Sequence, residues 1–173
     1  MKADDYLKLR RAEDRWFNKR VRHIEQLDTI IGDKYSAFPS ELAIIYFEEI
    51  KNAFVYEAYI ATIILSQLLC MEALKAHFSM NEEIFHSGFS KLIEENEKIG
   101  LIDKNLVSDL LKLKELRDSF EHTKSIRKVI RKADYILAQR YHMENYAELE
   151  DEALFSISLS IRLIDWIAFV PQP

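Results

Sequence analysis

The sequence is poor in the two residues that most often interrupt helices. It contains three Gly and three Pro in 173 residues, and two of the Pro lie among the last three positions. This scarcity excludes a turn-rich fold, and such isolated Gly residues cannot build a phosphate-binding loop. Leu, Ile, Ala, Glu and Lys dominate instead, so we expect an all-α protein.

Cysteine is almost absent as well. The single Cys70 excludes an internal disulfide and favours a reducing compartment. Its place in an apolar run is typical of a small buried side chain. Residues 1–24 carry charges throughout and contain no apolar targeting block, which predicts a cytoplasmic protein.

Long uncharged runs are few. Residues 53–74 are about long enough to span a bilayer. Before Glu72, the one charged residue in this run is Glu57. Three polar residues inside the run favour a buried central helix instead: Thr62, Ser66 and Gln67. A second apolar stretch, residues 154–170, carries Arg162 and Asp165 at a spacing that lets them pair across one helical turn. We therefore expect no membrane-spanning segment.

The length and apolar content fit one domain over residues 1–173. With 49% apolar side chains the chain can bury a single substantial core. Its hydrophobic periodicity predicts five or six helices: an N-terminal helix over about 4–31, a core over about 40–142 and a C-terminal helix over about 151–169.

The N-terminal helix has apolar residues at steps of three and four, which places them on one face. These residues are Phe17, Val21, Ile24, Leu27 and Ile31.

Capping residues divide the core into helices. Ser40 suits the start of a long apolar helix that runs to about residue 78 and forms the expected core helix. A short helix over about 89–98 ends at Gly100, which adopts the left-handed conformation readily. Asp103 suits the start of a helix that runs to about residue 120.

The helix after Asp103 carries an arginine on its apolar face. Its apolar stripe consists of Leu106, Leu110, Leu113 and Phe120. Arg117 falls on the same stripe, where it needs a carboxylate, a partner subunit or a bound anion.

The next predicted helix, over about 123–141, separates an apolar face from a basic one. Its basic residues include Lys124, Arg127, Lys128 and Arg131. Asp151 and Glu152 lie at the predicted start of the last helix, where acidic side chains interact favourably with the positive end of the helix dipole.

Charge is unevenly distributed along the chain. The formal net charge is −5, but residues 1–24 carry net +4 and the remaining 149 residues net −9. Contact with nucleic acid must therefore be local. The two candidate surfaces are the stripe over 124–132 and an N-terminal cluster, and each is alternatively a solvated helix face. The cluster consists of Arg10, Arg11, Arg15, Lys19, Arg20 and Arg22.

Residues 116–122 (LRDSFEH) contain the one visible candidate for chemistry, Arg117 and His122. Together with residues 91–103 (KLIEENEKIGLID) and 66–75 (SQLLCMEALK), they resemble the HEPN superfamily of helical domains. In that family a helical hairpin precedes an Arg, a polar residue, three variable residues and a His, and Asp118 fits the polar position. The resemblance covers about residues 60–136.

The resemblance implies a HEPN-like up-and-down bundle that forms a homodimer, with the Arg and His pairs meeting in a cleft at the interface. Many such proteins are metal-independent endoribonucleases, often toxins or defence effectors with a protein antitoxin or regulator. Others are inactive binding or scaffold domains. One toxin subgroup has a Tyr two residues after the His, where this chain has Lys124, and this departure argues against modification by that kind of antitoxin.

The chemistry needs neither metal nor cofactor. His122 can take the proton of a ribose 2′-hydroxyl, while Arg117 holds the phosphate bidentately. Asp118 and Ser119 are candidate supporting hydrogen-bond partners. A separation of five places the two side chains about 140° apart on a continuous helix. The helix must then break near residues 119–123, or the pair must form across the dimer.

A structural role for the motif stays open beside the catalytic one. Arg117 can pair with Glu121 four residues on, and His122 can cap a helix C-terminus. The other histidines are dispersed and show no zinc-binding spacing. If Arg117 and His122 have this structural role, the chain is a binding or scaffold protein of the same fold that recruits a protein or nucleic acid.

Overall fold

A computed structural model describes residues 3–32, 38–121 and 144–169. The described residues form a bundle of seven α-helices and one 3₁₀ turn (Ala76–Phe78) without β-strands, which confirms the all-α prediction. The helices are α1 (Ala3–Ile31), α2 (Glu41–Val55), α3 (Tyr59–Lys75), α4 (Glu82–Phe85), α5 (Phe89–Lys98), α6 (Lys104–Glu121) and α7 (Glu144–Phe169). The helix predicted over 123–141 lies outside the described residues.

Helix α3 is the centre of the bundle. It packs against α2, α5, α6 and α7, because its sequence is apolar on nearly every side. Ile63, Leu69 and Leu74 are fully buried in it. The expectation of a buried core helix in this region is confirmed.

Small side chains let α3 and α7 approach closely. Ser156 donates a hydrogen bond to Ser66 Oγ at 3.2 Å, and Cys70 donates to Ser160 Oγ at 3.4 Å. Burial raises the pKa of Cys70 to about 12, although the Ser160 contact acts in the opposite direction. Cys70 is therefore a small buried side chain, as its sequence context predicts.

Three predicted helix boundaries are confirmed by their capping geometry. Ser40 accepts a hydrogen bond from the backbone N–H of Ala43 at 3.1 Å, and Asp103 accepts one from Leu106 at 2.8 Å. Gly100 follows α5 with φ +74°.

The prediction of one helix from Ser40 to about residue 78 is wrong, because the chain breaks between α2 and α3. Glu57 adopts φ +61°, and its N–H donates to the carbonyl of Phe54 while Ala58 N–H donates to that of Ala53. This pair of bonds is the Schellman ending of a helix. Glycine usually occupies the left-handed position of that motif, so a glutamate there does not reveal the break in sequence.

The last helix begins at Glu144, seven residues before the predicted start. Asp151 and Glu152 therefore lie inside α7 rather than at its N-terminus. Residues 144–150 contain no Gly or Pro, the residues least favourable in a helix, so nothing in their sequence prevents them from being helical. Arg162, whose spacing allows a pair with Asp165, forms an ion pair with Asp109 of α6.

The apolar face predicted for α1 is only partly buried. Leu27 and Ile31 pack into the core, but Phe17, Val21 and Ile24 are 64%, 39% and 47% exposed. The face that packs on the bundle includes His23, because residues 23, 27 and 31 recur at steps of four. The middle of α1 therefore presents apolar side chains to solvent.

Within the described residues one stretch, Tyr59–Phe78, has the length and hydropathy of a membrane span. Half of its most apolar window is buried inside the protein. The core helix of a soluble protein has the same properties, so this stretch is weak evidence for a membrane.

Candidate functional site

Arg117 lies on the core-facing side of α6, as the sequence predicts. The three leucines that precede it on this side, Leu106, Leu110 and Leu113, are buried. Leu116 and Phe120 pack partly buried against the same core. The Arg117 side chain is 27% exposed, so its stem lies against the bundle while part of the side chain reaches solvent.

A carboxylate lies next to Arg117 on the same helix. Asp118 Oδ1 lies 3.5 Å from Arg117 Nη1, and Asp118 Oδ2 accepts a hydrogen bond of 2.6 Å from Lys114. The Ser119 hydroxyl donates to the Leu116 carbonyl at 2.6 Å. Asp118 is therefore a direct neighbour of the guanidinium, whereas Ser119 donates its proton to the backbone of its own helix.

The remaining residues of the predicted site lie outside the described part of the chain. They are His122, Lys124, Arg127, Lys128 and Arg131. Helix α6 is continuous through Glu121. The break predicted near residues 119–123 is therefore absent up to that residue.

A second polar cluster, which the sequence reasoning missed, lies where α1 meets α3 and α7. His23 is fully buried, with its Nε2 3.2 Å from the Tyr59 hydroxyl. Tyr59 donates to Glu150 Oε2 at 3.0 Å, and the His23 ring packs 4.7 Å from that of Phe54. We call His23, Tyr59 and Glu150 the buried triad.

Two cations of α1 cover the triad. Arg22 Nη2 lies 2.9 Å from Glu150 Oε1. Lys19 Nζ lies 3.8 Å from Glu150 Oε2 and 2.6 Å from Glu57. Burial by itself raises the pKa of Glu150, but the Tyr59 hydrogen bond and the charges of Arg22, His23 and Lys19 together lower it below its usual value. Glu150 is therefore held as a carboxylate.

The buried triad fastens helices together and is unsuited to catalysis. With Tyr59 donating to Glu150, Nε2 of His23 is the nitrogen that points a proton at the Tyr59 oxygen. His23 Nδ1 is buried and has no hydrogen-bond partner among the described residues. No atom of the ring reaches solvent, so a substrate cannot contact it. The spacing of His23 with Leu27 and Ile31 was the sequence signal that placed it on the packed face.

No group of three or more His, Cys, Asp or Glu side chains in the described ranges is arranged to hold a metal ion.

Comparison of the chain with protein-family models, curated proteins and solved structures gives no match. The HEPN resemblance rests on the quoted sequence motifs.

Proposed function

We propose that the protein is a HEPN-like, metal-independent endoribonuclease that acts as a homodimer. The observation that supports it is the position of Arg117, half-buried on the core side of α6 with Asp118 beside its guanidinium. An arginine held in this way is preorganised to bind a phosphate. His122 is the residue immediately after α6 in the sequence. Its imidazole is the titratable group that exchanges protons with the RNA.

The reaction is a transesterification within the RNA strand. His122 of one protomer accepts the proton of a ribose 2′-hydroxyl, and the 2′ oxygen forms a bond to the adjacent phosphorus. The bond from phosphorus to the 5′ oxygen breaks, and that oxygen takes a proton from water while the imidazolium returns its own proton to solvent. Arg117 offsets the charge on the phosphate throughout. The products are a 2′,3′-cyclic phosphate and a free 5′-hydroxyl.

The test is RNA cleavage by purified protein in excess EDTA. We expect Arg117→Ala and His122→Ala each to lower the rate by about 100-fold or more. Arg162→Ala is the matched control, because it also removes an arginine that is ion-paired on the bundle surface. We expect that variant to cleave normally. A cyclic phosphate at the product end identifies the chemistry.

Two results would reject the proposal. Cleavage that survives both substitutions would mean a contaminant or a different active site. If the wild-type protein cleaves none of a varied set of RNAs, the binding or scaffold function becomes the remaining candidate. Circular dichroism and light scattering on every variant ensure that fold and oligomeric state are matched.

The second candidate function is a binding or scaffold protein of the same fold. The exposure of Phe17 and Ile24 on α1 and of Ile45 on α2 favours it, since exposed apolar side chains suit a protein partner. Arg117 would then have a structural role, which includes its ion pair with Asp118. In that case Arg117→Ala lowers stability slightly and changes no activity.

A biological role as a toxin or defence effector, with RNA as substrate and a protein antitoxin or regulator, follows from the ribonuclease proposal. A cytoplasmic location is proposed on the same basis.

A further inference from the structure

A long stretch of α1 is not covered by the bundle. Residues 10–18 are exposed at every position, and from residue 10 onward the first fully buried side chain is that of His23. The end of α2 reaches α1 only at Arg20, whose guanidinium lies 4.0 Å from the ring centroid of Tyr56. A helix segment without tertiary packing is marginally stable in water, so we expect a partner to cover this one.

The exposed part of α1 carries an apolar stripe. Phe17, Val21 and Ile24 recur at steps of four and three, which places them within about 60° of one another around the helix. All three are exposed. Apolar side chains aligned in this way are typical of a helix that packs along another helix.

Charged residues continue the stripe in both directions along the helix. Arg10 lies about two turns before Phe17, and Asp28 lies about one turn after Ile24. Because Arg10 and Asp28 are about five full turns apart, they point in the same direction, on the side of the stripe. Asp14 fills the remaining position, one turn after Arg10. These residues form what we call the α1 seam: Arg10, Asp14, Phe17, Val21, Ile24 and Asp28.

The α1 seam has the same spacing in both chain directions, because its steps alternate between four and three and begin and end with four. It can therefore pair with its own copy about a two-fold axis. When two α1 helices run antiparallel with the axis at the level of residue 19, Phe17 lies opposite the partner's Val21. Arg10 then lies opposite the partner's Asp28. The apolar centre is closed at each end by opposite charges.

One flank of the seam adds to this charge complementarity. Arg11 and Glu25 lie within about 40° of each other around the helix, and both are exposed. In an antiparallel pair this flank meets the same flank of the partner. At each end, Arg10 and Arg11 therefore face three carboxylates: Asp14 of their own helix and the partner's Glu25 and Asp28. A parallel pair would instead bring Arg10 beside the partner's Arg10.

We propose that α1 docks antiparallel on α1 of a second copy of the chain through the α1 seam. A membrane surface suits the seam less well, because Asp14 and Asp28 would face anionic lipid. Helix α1 packs on α2 and α7, whereas α6, which carries Arg117, packs on α3, α5 and α7. The inference concerns this association alone and is independent of RNA cleavage, and a dimer contact near Arg117 would be a second interface.

The first test measures particle mass by analytical ultracentrifugation over a range of protein concentrations. We expect Phe17→Glu with Ile24→Glu to reduce the mass to about half that of the wild type, because charges replace the apolar centre of the seam. The control is Met80→Glu with Ile99→Glu, which makes the same change of charge at side chains that are 97% and 56% exposed elsewhere. The control should keep the wild-type mass.

The second test reverses the charges at the ends of the seam. Arg10→Glu with Arg11→Glu, and separately Glu25→Lys with Asp28→Lys, should each weaken association by about 10-fold or more, because like charges then meet. An equimolar mixture of the two variants should recover the wild-type strength. The first variant makes the chain more negative and the second less negative, so general charge repulsion would weaken one and strengthen the other.

Several outcomes would overturn the inference. They are a wild-type protein that is monomeric at every concentration, a mass that the seam variants leave unchanged, and a mixture of charge variants that does not recover. An unchanged mass would overturn the α1 contact alone and leave a dimer near Arg117 possible. Binding to vesicles of phosphatidylcholine and phosphatidylserine that Phe17→Glu with Ile24→Glu abolishes, without a change of mass, would assign the seam to a membrane instead. Circular dichroism confirms that each variant is folded.

Discussion

Glu150 is the residue on which the contacts of three helices converge. Tyr59 of α3 donates to it, Arg22 of α1 pairs with it, and their combined effect lowers its pKa despite the opposing effect of burial. A carboxyl whose pKa is lowered by folding stabilises the native state at pH values above its unfolded pKa. That contribution is lost as the pH falls through the lowered native pKa.

We expect Glu150→Gln to lower the free energy of unfolding near pH 7 by about 1–2 kcal/mol, because charge-assisted hydrogen bonds become neutral ones. The difference from wild type should shrink as the carboxyl protonates in acid. Urea unfolding near pH 7 and near pH 3 measures both quantities. Glu148→Gln, at an exposed position of the same helix, serves as the control and should have little effect at either pH. A Glu150→Gln deficit as large in acid as at neutral pH would contradict the assignment.

The end of α5 is a Schellman ending like that of α2, since Gly100 N–H donates to the Glu97 carbonyl and Leu101 N–H to that of Asn96. The two endings show what a helix boundary reveals in sequence. Gly100 and Glu57 hold the same left-handed position, at φ +74° and +61°, and each follows a C-cap residue whose helix it closes. The glycine was recognised because left-handed backbone has little cost for it. The glutamate was not, because nothing local distinguishes it from a helical residue. Its conformation is compatible with the fold because α1 provides Lys19 as a partner, from 38 positions earlier.

At the end of α2, we expect Glu57→Gly to be more stable than Glu57→Ala by about 1 kcal/mol. Both substitutions remove the Lys19 ion pair, so their difference isolates the backbone conformation. The same two substitutions at Glu49, an exposed position inside α2, should show the opposite order, because Gly weakens a helix interior by about 1 kcal/mol relative to Ala. Chemical denaturation of the four variants measures the differences. Alanine equal to or better than glycine at position 57 would show that the left-handed backbone is not strained.

Across the whole molecule, the sequence predicted what short-range spacing determines. It predicted the central helix, the caps at Ser40 and Asp103, and the place of Arg117 on the leucine stripe of α6. It missed the buried triad, because Tyr59 and Glu150 are 91 positions apart and meet only when α3 and α7 pack. It placed Phe17 on the apolar face of α1, but periodicity alone could not show that the bundle leaves this part of the face exposed.

The proposed homodimer offers two ways to assemble the proposed active site. Helix α6 runs through Arg117 without a break to Glu121, and residues five apart on a continuous helix point about 140° away from each other. We therefore expect Arg117 of one protomer to act with His122 of the other. Mixing the inactive Arg117→Ala and His122→Ala proteins tests this directly. In a mixed dimer the His122→Ala chain supplies Arg117 and the Arg117→Ala chain supplies His122, which restores one of the two sites.

With random exchange half of the dimers are mixed, so cleavage should return to about a quarter of the wild-type rate. If both groups come from one protomer, every site in the mixture lacks a group and the rate stays at the level of the single variants. A doubly substituted protein, mixed with wild type in equal amounts, provides the control for exchange. In that mixture sites built across the interface also retain about a quarter of the activity, whereas sites within one protomer retain about half. The two mixtures together therefore distinguish a pair formed across the dimer from a pair formed by a bend after Glu121.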